Sequence, residues 1–475
     1  MGSTTTVGTW LKANAHAVGP DDLRLLEQAA ILFEGANVHL RQREARGVDP
    51  VFALQRLRAS PPADRAGLYR DLMAIFARFG DRHTRCILPP AWDRQFAYLP
   101  LTVAECWQDG ACEMIVTGSA DPRLRPGDRL DTWNDRPVSE IVEAHEAGQL
   151  GANPAARRAK SLQTLTVRPL ALLPPPEGAV KLTGSRGSVH LEWRMADMAQ
   201  LGRDLAACIA PEPDFEDAAA GLGVRRVSTS AGPIGWIKIT SLRVPADAFL
   251  PALAAALEHQ PSLGVVLDLR GCEEGFVQTG EAMLRLFTDR PIEPLQFELR
   301  ATEWMRDLVR ASAAMADWRG PVETAAAAGR GYSLGRPLTA EAAFETGLKP
   351  YRGRLIVLVD ALTYSTAEMF AAGVQDHRIG TVIGVAPSTG GGGGSAWSHE
   401  LIHRLSGDAF LAPAADAPRL RMAVLRCRRT GANAGRLIEC EGVVPDLIHL
   451  PTRRDRLESD SDLIDVIVQR MEACP

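Results

Sequence analysis

Ser365 lies at the predicted junction of a buried strand and a helix, where a serine can act as a nucleophile. Residues 355–360 read Leu-Ile-Val-Leu-Val-Asp, an apolar run typical of a strand covered on both faces of a parallel sheet. Residues 367–374 then carry apolar side chains at helical spacing. The first N–H groups of this helix, with its dipole, could stabilise an oxyanion beside the Ser365 hydroxyl.

The same residues also fit an ordinary helix start. Ser365 and Glu368 form a Ser-x-x-Glu pattern, in which both side chains satisfy backbone N–H groups of the first helical turn without any chemistry. The choice between a cap and a nucleophile therefore depends on other parts of the chain.

Composition bounds the class of protein. The chain has 475 residues, of which 46% are hydrophobic, and a formal net charge of −5. These values are typical of a globular protein with roughly two to four domains. No long run of one charge sign occurs, so we expect no nucleic-acid partner. Residues 1–8 lack the features of a secretory signal and no apolar run could span a bilayer, so we expect no membrane partner.

Cysteine and glycine usage narrow the expected chemistry. The eight cysteines are scattered without a Cys-x-x-Cys pair, which favours reduced thiols in the cytoplasm and gives no support for structural zinc. The glycine run at 390–394 lacks the Lys and Ser/Thr of a phosphate-binding loop, so nucleotide binding is not expected. The first interpretation of the run is a plain linker, and the second is a mobile loop over a substrate that includes Gly390, Gly391 and Gly392.

Hydrophobic periodicity divides the chain into four regions. Residues 1–95 read as helical, and residues 96–202 read as short strands and turns. Residues 203–223, rich in Pro, Asp, Glu and Ala, are predicted to be a linker. Residues 224–475 alternate strand and helix, which predicts an α/β core with a parallel or mixed sheet. Ligands bind beyond the carboxyl ends of the strands in such sheets, and Ser365 falls there.

Two helices are predicted in the first region. Residues 22–33 and 68–79 each carry one apolar face, and Gly80 is a predicted helix stop. Immediately after that stop comes Asp-Arg-His-Thr, which contains His83.

Five ordered motifs resemble peptidase family S41, which includes tail-specific proteases, the tricorn core protease and the repeats of interphotoreceptor retinoid-binding protein. They are Asp-Arg-His-Thr at 81–84, a strand and turn at 124–138, Asp-Leu-Arg-Gly at 268–271, the segment 363–370, and Glu-Cys-Glu-Gly-Val-Val-Pro-Asp at 439–446. The resemblance covers most of the chain. It implies a ClpP/crotonase-like mixed-sheet core, an N-terminal helical region and a PDZ-like module at 96–202.

The resemblance also implies a serine peptidase, and the lysine positions separate the family's two catalytic versions. Tail-specific proteases pair the serine with a downstream lysine, but no lysine follows Lys349 here. The tricorn-type version implies Ser365 as nucleophile, His83 as base and Glu439 as acid. In such a site the imidazole takes the serine proton and the carboxylate orients the imidazole.

The oxyanion donors that the resemblance implies are backbone N–H groups. One is that of Thr366, and the other comes from the turn between Gly271 and Gly275. This turn reads Cys-Glu-Glu where the family usually has Asn and a glycine pair. Glu274 is therefore expected to bring a carboxylate close to the oxyanion position.

Other residues compete for the same roles. His399 and His403, which follow the glycine run, are alternative bases, and Glu441 is an alternative acid. His377 is excluded as a base because it lies twelve residues along the helix from Ser365, about 18 Å of rise away.

Three functions remain open at this level. The first is hydrolysis of peptides through an acyl-enzyme, and a serine hydrolase of this kind implies no metal or organic cofactor. The second is acyl transfer on a non-protein substrate, as in an esterase, thioesterase or cyclase, since a shared fold does not fix the acyl group. The third is a catalytically relict binding protein. The expected partner is a peptide or small acyl substrate, and a homo-oligomer is left open.

Overall fold

A seven-stranded mixed sheet forms the centre of the C-terminal half in the computed structural model, which describes residue 9, residues 16–208 and residues 214–473. Its first two pairings are antiparallel and the other four are parallel. The strands, in spatial order, are Glu216–Ala219, Leu222–Val227, Ile234–Ile239, Val265–Asp268, Leu355–Val359, Thr381–Gly384 and Leu447–Ile448.

Helices cover both faces of this sheet, which explains why its central strands are apolar throughout. Helices Ala246–Glu258, Val277–Met283 and Thr366–Asp376 pack on one face, where Phe370 meets Val357 and Leu267 in a single core. Helix Ser461–Ala473 packs on the other face. The predicted α/β core with a mixed sheet is confirmed, including the strand and helix on either side of Ser365.

The N-terminal region is helical, as predicted. Its helices are Pro20–Gly35, Leu40–Glu44, Pro50–Ala59, Arg65–Phe79 and Pro90–Asp93. Gly80 ends the fourth helix in the left-handed conformation, with φ of 76°, which glycine adopts at little cost. The buried faces of these helices share one core with residues of the C-terminal half such as Phe297 and Met422.

A second, antiparallel sheet joins the N-terminal region to the C-terminal half. Its long strand Arg419–Arg428 pairs with Arg85–Ile87, Gln296–Glu298 and Gly394–Ser398. The first of these strands follows His83 by two residues, so this pairing fixes where His83 enters the C-terminal half.

Residues 95–206 are rich in strands, and we refer to them as the strand-rich module; a hydrophobic core within them includes Trp133 and Val142. The strands of this part of the chain are Gln95–Tyr98, Leu101–Gln108, Ala111–Ser119, Leu130–Trp133, Arg136–Pro137, Val167–Pro169, Ala179–Gly184, Gly187–Glu192 and Arg194–Asp197. Its helices are Val138–Glu146, Pro154–Leu165 and Met198–Ala206. The likeness of this module to a PDZ domain stays a prediction.

Much of the segment predicted as a linker, residues 203–223, lies in a helix and in two strands. Residues 203–206 end a helix, and two strands, Glu216–Ala219 and Leu222–Val227, belong to the seven-stranded sheet. The linker prediction is therefore corrected for these residues; residues 209–213 lie outside the described part. The error arose because an acidic, Ala-rich edge strand lacks the apolar alternation by which a strand is recognised.

The remaining elements complete the C-terminal half. They are helices Glu303–Ala311, Ala316–Ala327, His399–Ser406 and Arg453–Leu457, and 3-10 turns Leu284–Leu286, Ala313–Met315, Glu341–Phe344, Ala409–Leu411 and Gly431–Asn433. Among the residues with described positions, no helix combines the length and apolarity needed to cross a bilayer.

Candidate active site

Ser365 sits in a strained turn at the carboxyl end of a central strand. The turn is held by Asp360, whose Oδ1 accepts the N–H groups of Leu362 at 3.0 Å and Thr363 at 2.7 Å. Ser365 itself has φ of 58° and ψ of −124°, a conformation that costs a non-glycine residue free energy. Such strain is typical of functional sites, and here it places the hydroxyl at the start of helix Thr366–Asp376.

His83 meets Ser365 in the folded chain. Its Nε2 lies 3.1 Å from Ser365 Oγ, although the two residues are 282 positions apart. The loop before the histidine is fixed by Asp81, whose Oδ1 accepts the His83 N–H at 2.8 Å and whose Oδ2 accepts the Thr84 hydroxyl at 2.6 Å. The distance lies within the reach required of a base and its nucleophile.

The site is buried, and this burial sets the charge state of the base. His83 is 2% exposed and Ser365 is 8% exposed. Burial lowers the pKa of His83 to about 4, while the Asp81 carboxylate works in the opposite direction. The imidazole is therefore neutral near pH 7, the form in which it can accept a proton.

Tyr364 packs the site together. Its ring lies 4.9 Å from the His83 ring, and the Arg82 guanidinium lies 4.8 Å above it. Its hydroxyl donates to Asp81 Oδ1 at 3.3 Å. One tyrosine thus contacts the base, the residue before the base and the carboxylate that fixes their loop.

Glu439 lies beside this group, but within the described chain its polar contacts are with residues other than His83. Its Oε1 accepts a hydrogen bond from Arg43 Nη2 at 2.8 Å, and its Oε2 lies 3.5 Å from His39 Nε2. Within the described chain, His83 Nδ1 has no hydrogen-bond partner. The orienting contact between Glu439 and His83 that the resemblance implied is thus not formed in this conformation.

Burial raises the pKa of Glu439 well above its ordinary value, reinforced by the nearby Asp81 charge and opposed by Arg43. The same burial lowers the pKa of His39 to about 4. Asp81, by contrast, is the carboxylate whose charge raises the pKa of His83 most. As the site stands, Asp81 contributes most to stabilising a protonated His83.

His39, Asp81 and Glu439 are also the residues that could hold a metal ion, since one ligand atom from each lies within 4.8 Å of the others. The Arg43 guanidinium already contacts Glu439 at 2.8 Å. A fixed positive charge at this distance opposes binding of a divalent cation.

The three predicted oxyanion donors lie in different situations. Gly271 N–H donates to Asp360 Oδ1 at 3.1 Å, so it is engaged in holding the nucleophile turn. Thr366 is the first residue of the nucleophile helix, where N–H groups lack intrahelical acceptors. Gly275 lies opposite Leu242 in a parallel bridge, and the residues on either side of Gly275 make the hydrogen bonds of that bridge. Leu242 N–H donates to Glu274 O, and Phe276 N–H donates to Leu242 O. The N–H group of Gly275 itself is directed away from Leu242.

The carboxylates of this turn are neutralised. Glu274 forms ion pairs with Arg421 at 2.8 Å and Arg85 at 3.2 Å, and also contacts Arg243. Glu273 pairs with Arg82 at 2.6 Å and with Lys160 of the strand-rich module at 3.0 Å. The negative charge expected beside the oxyanion position is therefore balanced by cations.

The glycine run is buried and packed against the nucleophile turn. A Cβ on Gly390 or Gly392 would come within 2.5 or 1.8 Å of the Tyr364 ring. The N–H groups of Gly391 and Gly392 donate to Glu368 at 3.0 and 2.7 Å. This packing holds the run in place rather than leaving it mobile, and its role as a substrate loop stays a prediction.

Glu368 is the centre of that arrangement. Besides the two glycines, it accepts Ser365 N–H at 2.9 Å and the Thr389 hydroxyl at 2.7 Å. Burial raises its pKa to about 7, opposed by these four donors. The pattern that suggested a helix cap thus also ties the nucleophile turn to the glycine run.

The alternative residues have other contacts. His403 Nδ1 lies 2.9 Å from Asp408 O, and Glu441 forms an exposed ion pair with Arg436 at 3.3 Å. His399 is buried, and neither of its ring nitrogens has a partner in the described residues. His377 caps the far end of the nucleophile helix. In the described chain, Ser365 forms its histidine contact with His83.

Sequence reasoning missed several residues of this site. Asp81 had a local signal, since it stands two positions before His83 in the same motif. His39 and Arg43 gave none, because no motif links them to residue 439. Tyr364 was visible beside the serine, but its packing role depends on tertiary contacts.

Comparisons with known proteins agree with this architecture. Residues 233–448 match the family model of peptidase family S41. The chain is similar to the solved structure of mature CPAF complexed with lactacystin, with a TM-score of 0.70 and 19% identity over 95% of this chain and 98% of that one. For mature CPAF the TM-score is 0.70 and the identity 18%, over 94% and 96%.

A weaker likeness is to the photosystem II D1 C-terminal processing protease, with a TM-score of 0.40 and 17% identity over 91% of this chain and 94% of that one. No curated protein matches the chain in sequence. The nucleophile segment lies inside the matched residues 233–448, and this match supports a serine-type peptidase of family S41.

Proposed function

We propose that this peptidase cleaves peptide bonds through an acyl-enzyme formed on Ser365, with His83 as the general base. The observation that carries the proposal is the 3.1 Å approach of His83 Nε2 to Ser365 Oγ. A histidine that only fills the core is not expected to lie within hydrogen-bond distance of a strained serine at the start of a helix.

The proposed reaction has two halves. His83 takes the Ser365 hydroxyl proton while Oγ attacks the peptide carbonyl carbon, and the N–H groups of Thr366 and Gly275 stabilise the oxyanion. The imidazolium then gives its proton to the leaving amine, and the C–N bond breaks. In the second half a water molecule loses a proton to His83 and attacks the acyl carbon. The bond between that carbon and Ser365 Oγ then breaks, His83 returns the proton to Oγ, and the acid is released.

The buried carboxylates support the base in this proposal. Asp81 fixes the loop that carries His83 and stabilises the transient imidazolium by its charge. Glu439 keeps the role of acid that the family resemblance implies, held beside the base by the hydrogen bond from Arg43. Its contact with His83 would form only when the site closes on a substrate, since catalytic hydrogen bonds often tighten at that stage.

The alternatives have less support. The altered turn from Cys272 to Glu274 is one basis for both non-peptide acyl transfer and a relict site, and the Glu274 carboxylate in that turn is paired with arginines. The glycine run and the insert at 295–350 are the other basis for non-peptide acyl transfer. The finer expectations stay proposals: a PDZ-like module at 96–202, a cytoplasmic location, a homo-oligomer and a substrate contact at Gly390 to Gly392. The seven described cysteines are free thiols, which supports the cytoplasmic proposal.

A peptide-library digest tests the function. The full chain should cleave a defined subset of peptides, and Ser365→Ala should reduce that cleavage by at least about a thousandfold. Ser60→Ala, a change at an exposed serine that ends helix Pro50–Ala59, is the matched control and should cleave normally. Cleavage that persists in Ser365→Ala would overturn the proposal, as would turnover of activated esters without cleavage of any peptide.

A further inference from the structure

A cavity of about 410 Å³ lies at the junction of the three parts of the chain. Its wall includes Arg43 and Arg46 of the N-terminal region, Arg78 of helix Arg65–Phe79, and Arg157 of the strand-rich module. Cys440, next to Glu439, completes it from the C-terminal half. Arg46 and Arg78 are exposed, so the cavity reaches the surface. Ser365 is not among the residues of its wall.

The charge of this cavity is unbalanced. Four arginines line it, and no residue of its wall is an aspartate or glutamate. In the described residues, Arg46, Arg78 and Arg157 form no ion pair with a carboxylate. Arginines elsewhere in this chain are commonly paired, as Arg158 and Arg436 are.

Arg43 provides a second, independent observation. It is 6% exposed, and its Nε is a buried donor without a hydrogen-bond partner in the described chain. Its Nη2 is occupied by Glu439 and by Gly80 O at 3.0 Å. Because this Nε is closed off from the surface, Arg43 acts on a ligand in the cavity through the charge of its guanidinium rather than through a hydrogen bond from Nε.

We infer that this cavity binds a small oxyanion, a carboxylate or phosphate group carried by a free small molecule. Guanidinium groups recognise both through paired, charge-assisted hydrogen bonds. The volume suits a ligand of the size of citrate or pyrophosphate. Because the arginines come from the N-terminal region and the strand-rich module, the bound anion holds these two parts together.

The site is connected to Glu439 through Arg43. An anion in the cavity adds negative charge beside the Arg43 guanidinium, which contacts the Glu439 carboxylate at 2.8 Å. It thereby weakens the support for an ionised Glu439 beside His83. Occupancy should lower kcat of peptide cleavage, because its effect acts through Glu439; this part rests on the proposed function.

Calorimetric titration of the full chain with citrate and with pyrophosphate, at constant ionic strength, tests the binding without any assay of activity. We expect one-to-one saturation with Kd below about 1 mM for at least one anion. Arg78→Gln and Arg157→Gln should each weaken binding about tenfold or more. Arg125→Gln, which removes the same charge from an exposed turn outside the cavity, should leave Kd unchanged.

The outcomes distinguish a carboxylate ligand from a phosphate ligand, and they test the binding site separately from its link to Glu439. Preference for citrate assigns a carboxylate ligand, and preference for pyrophosphate assigns a phosphate. No saturable binding of either anion, or equal Kd values in all variants with unchanged melting temperatures, would overturn the site. Binding that leaves kcat of a peptide substrate unchanged at saturation would overturn the link to Glu439 while the site itself stands.

Discussion

Arg43 and Glu439, 396 positions apart in the sequence, form a buried ion pair with a separation of 2.8 Å beside the candidate base. The side chains are 7% and 0% exposed. This pair joins the N-terminal region to the C-terminal half at the point where the site is assembled.

The pair should show strong energetic coupling. Arg43→Met and Glu439→Gln should each lower the free energy of unfolding by about 3 kcal/mol or more, because each leaves a buried partner uncompensated. The double variant should lose less than the sum of the two single losses. Chemical denaturation measures the cycle.

An exposed pair in the same part of the chain is the control for that cycle. Arg436 and Glu441 are 55% and 58% exposed and lie 3.3 Å apart, so their coupling should not exceed about 1 kcal/mol. Coupling of the Arg43–Glu439 pair no larger than that of this control would contradict a buried, structural role.

The acid limb of activity should lie unusually low. The base must be neutral to accept the serine proton, and burial lowers the pKa of His83 to about 4. Plotted against pH, kcat/KM should therefore retain about nine-tenths of its plateau at pH 5, where an imidazole of ordinary pKa would leave about 3%. Asp81→Asn removes the charge that opposes this shift, so its limb should move to still lower pH. A midpoint near pH 6.5 would contradict the dry environment assigned to His83.

The glycine run should not tolerate a side chain at Gly392. An added Cβ would come within 1.8 Å of the Tyr364 ring, and that ring packs on His83. Gly392→Ala should therefore lower kcat/KM by about a hundredfold, since small displacements of catalytic groups are costly. Gly202→Ala has open space around its Cβ and lies in a helix, so it should retain activity and gain slightly in stability. Normal kinetics in Gly392→Ala would show that Tyr364 does not position the base.

The strand-rich module should influence catalysis through its contacts with the nucleophile side of the chain. Asn153 Nδ2 donates to Thr389 O at 2.7 Å, and Lys160 contacts Glu273 at 3.0 Å. Lys160→Met should lower kcat/KM roughly three- to tenfold by loosening the turn that carries Gly275. Lys181→Met breaks a comparable but exposed contact with Asp135 at 2.6 Å and should have no effect. Deletion of residues 99–193 should abolish or deregulate cleavage. Equal kinetics in Lys160→Met, Lys181→Met and the deletion variant would show that the module is an independent appendage.

Local signals were sufficient to predict much of this molecule. The apolar run before Ser365, the periodic helix after it and the stop at Gly80 each depend on neighbouring residues, and each was confirmed. The meeting of His83 and Ser365 was expected only through a family resemblance, because no local rule brings together residues so distant in sequence.

The remaining features depend on tertiary packing. Nothing in the sequence pairs Arg43 with Glu439, and nothing local indicates that Gly271 N–H is engaged by Asp360. The local pattern predicts only a helix cap at Glu368. Its other role could not be predicted, because some of its four donors come from a loop more than twenty residues away. The sequence predicts a linker at the edge strand Glu216–Ala219, because the stability of this strand comes from its neighbours in the sheet and not from its own residues.

Active-site labelling tests the central claim most directly. A fluorophosphonate reacts with a serine whose proton a neighbouring base can remove, so the full chain should gain one label, which peptide mapping should locate at Ser365. Ser365→Ala should remove the label, His83→Ala should slow labelling by at least about a thousandfold, and Ser60→Ala should label normally. Labelling that survives Ser365→Ala, or that proceeds at the normal rate in a folded His83→Ala variant, would contradict the account.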